Sequence, residues 1–223
     1  MKPQERTVAS RPALLWGRPS ETVWLYVHGL HASARAAEPL ARQACRKGAQ
    51  VLSFDLSDRG GLPFSQGVDE VTRVADELLS QYGKLNLAAC SIGAFFSLYA
   101  LAEKPVGRAI FLSPIADMPY LVGKMIVDNG LTEQELLSRE VIETPTSLMR
   151  REDFLFLQNH PRPRWTVPTA LLTGDHDSLQ SLSVIDEFCR ESGARRTVAK
   201  GCGHAFLMPR ERAVERRFLR GQF

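Results

Sequence analysis

None of the four cysteines, at positions 45, 90, 189 and 202, stands in a C-x-x-C pair. That spacing gives no support to a zinc-ribbon or thioredoxin-type reading. No basic block with interleaved aromatics occurs, and 28 basic against 25 acidic residues leave a formal net charge of only +3. So small an excess argues against a nucleic-acid partner. Residues 1–20 carry scattered charges and prolines instead of the continuous apolar stretch of a secretory signal. Free thiols in a reducing cytoplasm are the expectation. There is no internal repeat and no low-complexity tract. The longest uncharged stretch, Leu85 to Ala102, reaches the lower limit for a membrane span. Asn86, Ser91, Gly93 and Ser97 interrupt it, so it reads as a buried strand, a tight turn and a buried helix, with no membrane span.

What is present is an alternation. At 223 residues the chain is long enough for one well-buried core and short for two. Short apolar or β-branched runs predict strands over Thr22 to His28, Gln50 to Leu56, Lys84 to Cys90, Arg108 to Ser113, Thr169 to Thr173 and Ala194 to Lys200. Helical spacing fills the intervals: Ser33 to Lys47, with Ser33 as N-cap and Gly48 as stop, then Val68 to Tyr82, Ile92 to Glu103, Leu182 to Ser192 and Phe206 to Arg220. Strands each followed by a helix imply an α/β protein with a mostly parallel, doubly wound sheet. Pro114 to Pro168 breaks the rhythm with helical pieces at Tyr120 to Asn129, Thr132 to Glu140 and Arg150 to Asn159, and no clear strand. The expected organisation is a single domain, with its core over about 7–114 and 166–223 and a small helical cap inserted over about 115–165.

Ala89-Cys90-Ser91-Ile92-Gly93-Ala94 lies between a predicted strand and a predicted helix. A nucleophilic serine in a sharp strand-to-helix turn needs small neighbours two residues either side, so that strand and helix can approach. Ala89 and Gly93 meet that need, although alanine replaces the commoner glycine at the first position. The helix N-terminus behind the serine favours developing negative charge. Centring the turn on Cys90 would put β-branched Ile92 where a small residue is required, so Cys90 reads as a buried structural thiol.

His204, in Gly201-Cys202-Gly203-His204 after the last predicted strand, is the candidate base. Three acids compete to orient it. Asp177 and Asp175 both lie in Thr173-Gly174-Asp175-His176-Asp177, and Asp117 follows the fourth predicted strand. Asp177 ranks first for its depth in the loop and Asp117 second. Asp175 ranks last, since an acid directly after glycine more often holds the loop itself.

From about Thr22 to Phe223 the chain resembles the α/β-hydrolase superfamily, through HGLHAS, FDLSDRGG, ACSIGA, TGDHDS and GCGHAF. The chain order Ser91, Asp177, His204 is the one this fold uses. The resemblance implies an oxyanion hole from the backbone N–H groups of Leu30 and Ile92, and a loop-organising role for His28. His31, Met118 and Tyr120 are candidate substrate contacts, with Leu121, Met125, Phe154, Phe156 and Trp165 as further pocket candidates from the cap. His28, His31, Asp175, His176 and Asp177 are metal-ligand types, but their spacing matches no HExxH helix and no metal is expected. Neither is an organic cofactor. The implied activity is that of a serine hydrolase cleaving a small carboxylic ester or a thioester through an acyl-enzyme. A non-catalytic binding member of the fold, and an acyltransferase or lyase with the same residues, are the alternatives. The expected partner is a small-molecule substrate, with room for a homodimer. Arg139, Arg150, Arg151, His160, Arg162 and Arg164 make the second half of the cap basic, which raises the question of an anionic substrate.

Overall fold

The computed structural model describes residues 2–145 and 148–223. Its elements run β1 (Gln4–Val8), β2 (Arg11–Trp16), β3 (Thr22–Val27), α1 (Glu38–Ala44), β4 (Gln50–Phe54), α2 (Phe64–Gln81), β5 (Lys84–Cys90), α3 (Ile92–Leu101) and β6 (Val106–Leu112). After β6 come α4 (Met118–Asp128), α5 (Glu133–Ser138), β7 (Val141–Glu143), β8 (Leu148–Arg150) and α6 (Arg151–Asn159). The chain closes with β9 (Thr169–Gly174), α7 (Leu182–Ser192), β10 (Arg195–Ala199) and α8 (Pro209–Arg220).

Eight strands form one sheet in the order β1-β2-β4-β3-β5-β6-β9-β10. From β4 to β10 every pairing is parallel, and β1 and β2 add an antiparallel edge. Side chains alternate across the sheet because successive Cβ atoms point to opposite faces. Val23, Leu25 and Val27 join the larger core beneath α2, α3 and α7, while Trp24 and Tyr26 join the smaller one beneath α1 and α8. Both faces are therefore buried, which is why these strands read as continuous apolar runs.

Several expectations are corrected. The β1–β2 hairpin lies outside the expected strands: four of the five β1 residues are exposed, and its turn places Ala9 and Ser10 at positive φ. The stretch between β6 and β9 holds a short antiparallel hairpin, β7–β8, as well as helices. The helix expected from Ser33 to Lys47 is an α-helix flanked by 3-10 turns, and Ser33 makes no side-chain cap. The Asp55 carboxylate instead accepts the Ala34 N–H at 2.6 Å. Gly48 does end this segment, in the left-handed conformation. The second helix starts a turn early, at Phe64, and the last starts at Pro209, after Phe206 at positive φ. No helix among the described residues is long and apolar enough to cross a membrane.

Candidate active site

Ser91 stands between β5 and α3 with φ 52° and ψ −124°. L-residues rarely adopt positive φ, so surrounding contacts must hold the turn. The Ser91 N–H donates to Leu112 O at 3.1 Å, and its carbonyl accepts from Ala94 N and Ile115 N. Gly93 is required by packing: a Cβ there would lie 2.5 Å from both Val27 O and His28 O. Ala89, the other small residue of the motif, is fully buried between Val27 and Phe111 in the sheet.

Ser91 Oγ lies 2.8 Å from His204 Nε2, and His204 Nδ1 lies 2.8 Å from Asp177 Oδ2. A carboxylate only accepts, so Nδ1 carries the ring proton and Nε2 is free to accept the serine proton. The Asp177 side chain is 1% exposed. Its second oxygen, Oδ1, accepts the N–H groups of Leu179 and Gln180 at 2.9 and 3.2 Å. Both oxygens are thus fixed, and the histidine ring with them.

The other two candidate acids bond elsewhere. Asp175 Oδ1 accepts Gly201 N–H at 2.7 Å and ties the acid loop to the histidine loop. Asp117 caps α4, accepting Tyr120 N–H at 2.8 Å. Cys90 makes a poor thiolate, since burial pushes its thiol up to about 12.

His28 is buried. Its Nδ1 faces Gly29 O at 2.8 Å and its Nε2 accepts Leu56 N–H at 3.0 Å, so the ring organises the loop after β3. Burial lowers its pKa and keeps it neutral. That loop passes close to Ser91: a Cβ on Gly29 would lie 3.0 Å from Ser91 Cβ. Leu30, His31 and Ile92 all border the cavity that Ser91 and His204 face. His31, at φ 61°, donates its N–H to Arg59 O at 2.8 Å.

The cavity measures ≈ 1310 Å³. From the segment between β6 and β9, Met118, Leu121, Met125 and Phe154 line it. Tyr120 does not: it follows Met118 by two residues, about 200° around the helix, and is 39% exposed. Phe156 packs on Tyr99 and His160, and Trp165 on Phe111, so neither borders the cavity. The basic cluster disperses. Arg162 pairs with Glu191, and Arg150, which does line the cavity, bonds Gly61 O at 2.7 Å beside Asp153. No group of three or more His, Cys, Asp or Glu among the described residues could hold a metal ion.

Two supporting residues carry no sequence motif. Gln180 is fully buried and bonds the backbone of Ala116 and Asp117. Glu211 accepts the N–H groups of Gly203 and Met208, tying the histidine loop to α8.

No protein-family model and no curated protein matches the chain. Solved structures do. The chain is similar to Est1E from Butyrivibrio proteoclasticus, with a TM-score of 0.77 at 14% identity over 100% of this chain and 98% of that one. It is also similar to alpha/beta hydrolase domain-containing protein 10 from mouse, with a TM-score of 0.73 at 14% identity over 100% and 98%. A thioesterase domain from the curacin biosynthetic pathway superposes with a TM-score of 0.60 at 16% identity, over 98% and 99%. The sheet order, the strained serine turn and these likenesses together define an α/β-hydrolase fold.

Proposed function

We propose that the protein is a serine hydrolase that cleaves a small-molecule carboxylic ester, or next a thioester, through an acyl-enzyme. The observation that carries this reading is the unbroken hydrogen-bond line Ser91–His204–Asp177 at 2.8 Å per step. Ser91 Oγ attacks the carbonyl carbon as its proton passes to His204 Nε2. The backbone N–H groups of Leu30 and Ile92 receive the resulting oxyanion. The bond to the leaving oxygen or sulfur then breaks, and His204 gives that atom the proton. Water repeats the sequence: His204 takes its proton, the hydroxyl joins the acyl carbon, and Ser91 Oγ leaves protonated. Asp177 keeps His204 in the productive tautomer and stabilises the imidazolium. The segment from 115 to 165 acts as a cap whose apolar side chains exclude water from the acyl group. No cofactor enters this sequence of steps.

Fluorophosphonate labelling with peptide mapping tests the reading. An adduct on Ser91 that is lost in His204→Ala supports it. A folded protein that takes no label overturns it in favour of a ligand-binding role.

A further inference from the structure

The apolar residues lining the cavity beside Ser91 belong to two different cores. One set is Ile115, Met118, Leu121, Val122, Met125 and Met149, in or against the larger core. The other lies on the opposite face of the sheet, where Tyr26, Leu112 and Phe206 belong to the core beneath α1 and α8, with Cys90 packed on it. Sheet alternation explains the division: Tyr26 and Cys90 point away from α2 and α3. Glu215, from α8, the helix that covers this second set, also lines the cavity.

Tyr26 is 3% exposed, yet among the described residues its hydroxyl has no hydrogen-bond partner. The half-buried Glu215 carboxyl likewise has no hydrogen bond or ion pair among them. The two groups sense each other, since Glu215 and Cys90 help burial to raise the Tyr26 phenol, which stays a neutral donor. Burial also raises the Glu215 carboxyl, against the pull of Arg212 and Arg216. Tyr26 and Glu215 both line the cavity, so a ligand held there can supply the hydrogen-bond partners that the protein does not.

We propose that the part of the cavity lined by Tyr26 and Glu215 is the leaving-group subsite and takes a neutral alcohol bearing a second hydroxyl, so that the substrate is an apolar-acyl monoester of a short polyol. This rests on the hydrolase reading above. The acyl chain lies against the first set, which places the alcohol against the second. There Tyr26 donates to the second hydroxyl and Glu215 accepts from it. Arg212 and Arg216 also line the cavity and oppose an ammonium group, while Glu215 opposes an anion. A neutral polyol offends neither.

Two pairs of compounds test the subsite. The esters are 1-monooctanoylglycerol and propyl octanoate, compared by kcat/KM. The ethers, which cannot be hydrolysed, are 1-O-octylglycerol and octyl propyl ether, compared by Kd. The wild type is expected to prefer the glyceryl member roughly tenfold in both pairs. Tyr26→Phe and Glu215→Leu, each confirmed folded by circular dichroism, should bring both ratios toward one. A wild-type ratio near one, or a ratio that neither variant moves, overturns the proposal. Ester turnover without preference removes the polyol subsite and leaves the hydrolase reading standing. Ether preference that the variants abolish, without turnover of either ester, upholds the subsite and removes the hydrolase reading.

Discussion

Gln180 grips Asp117 from both sides of its peptide backbone. Oε1 accepts the Asp117 N–H and Nε2 donates to the Asp117 carbonyl, each at 2.9 Å. The same Oε1 accepts Ala116 N–H at 3.1 Å. One buried side chain thus joins the loop carrying Asp177 to the start of α4. Its own backbone N–H is also one of the two that hold Asp177 Oδ1.

Replacing Gln180 with leucine leaves these backbone groups buried without partners. A loss of about 1–3 kcal/mol in unfolding free energy is expected. On the proposed hydrolase reading, activity should fall mainly in kcat, because the displaced loop carries Asp177, which bonds His204 Nδ1. Urea unfolding and steady-state kinetics check the two effects. A change confined to KM would place Gln180 with the substrate instead.

Asp177 and Asp117 are told apart by asparagine substitution. Asp177→Asn keeps the shape but offers an N–H where an acceptor is needed, which favours the wrong histidine tautomer. A fall in kcat of roughly 10⁴-fold is expected. Asp117→Asn retains a good helix cap, so stability should change by only a few tenths of a kcal/mol, an order-of-magnitude figure for exchanging two favoured cap residues. Ester hydrolysis by the two purified variants decides the matter, and equal losses would sink the assignment of Asp177 as the orienting acid.

Much of this arrangement was legible in the chain. The parallel strands announced themselves because both faces of the sheet are buried, and β5 matched its predicted bounds from Lys84 to Cys90. The strained turn at Ser91 and the glycine-containing loop at His204 are legible because such turns and loops constrain residue type. What escaped had no such constraint. β1 is held by pairing with β2 along its backbone, and its exposed QERTV shows little alternation. Each strand of β7–β8 is three residues long, below any periodic signal. Tyr120 lies off the cavity because of its phase on α4, which the sequence discloses only once the start of that helix is known. Gln180, Glu211 and the Tyr26–Glu215 pair act through tertiary neighbours far off in sequence, which one sequence does not disclose.

The closeness of strand and helix at the Ser91 turn predicts intolerance at Gly93. A methyl group there meets two backbone oxygens at 2.5 Å, and neither can yield as a flexible side-chain end would. Gly93→Ala should cost about 3 kcal/mol. The corresponding drop in Tm is roughly 6–12 °C for a chain of this size. Thermal unfolding followed by circular dichroism measures it, and an unchanged Tm would mean that the turn is looser than its geometry implies.

Asp153 supplies a pH test with a definite sign. From α6 its Oδ1 accepts Phe64 N–H at 2.6 Å, at the first turn of α2, and Oδ2 lies 3.7 Å from Arg150. Burial outweighs both contacts and raises its pKa from 3.8 to about 6. The folded state therefore binds the proton more tightly than the unfolded chain. The stability linked to that proton is fully present below about pH 4 and is lost as pH rises through about 6. Asp153→Asn cannot titrate there. The wild type should therefore lose about 1–3 kcal/mol relative to the variant between pH 4 and pH 7. Urea unfolding of both proteins across that range measures the difference directly, with other titrating groups cancelling between them. A difference that grows in the wild type's favour as pH rises would mean that the Phe64 and Arg150 contacts dominate over burial, and that Asp153 holds α6 to α2 as a carboxylate.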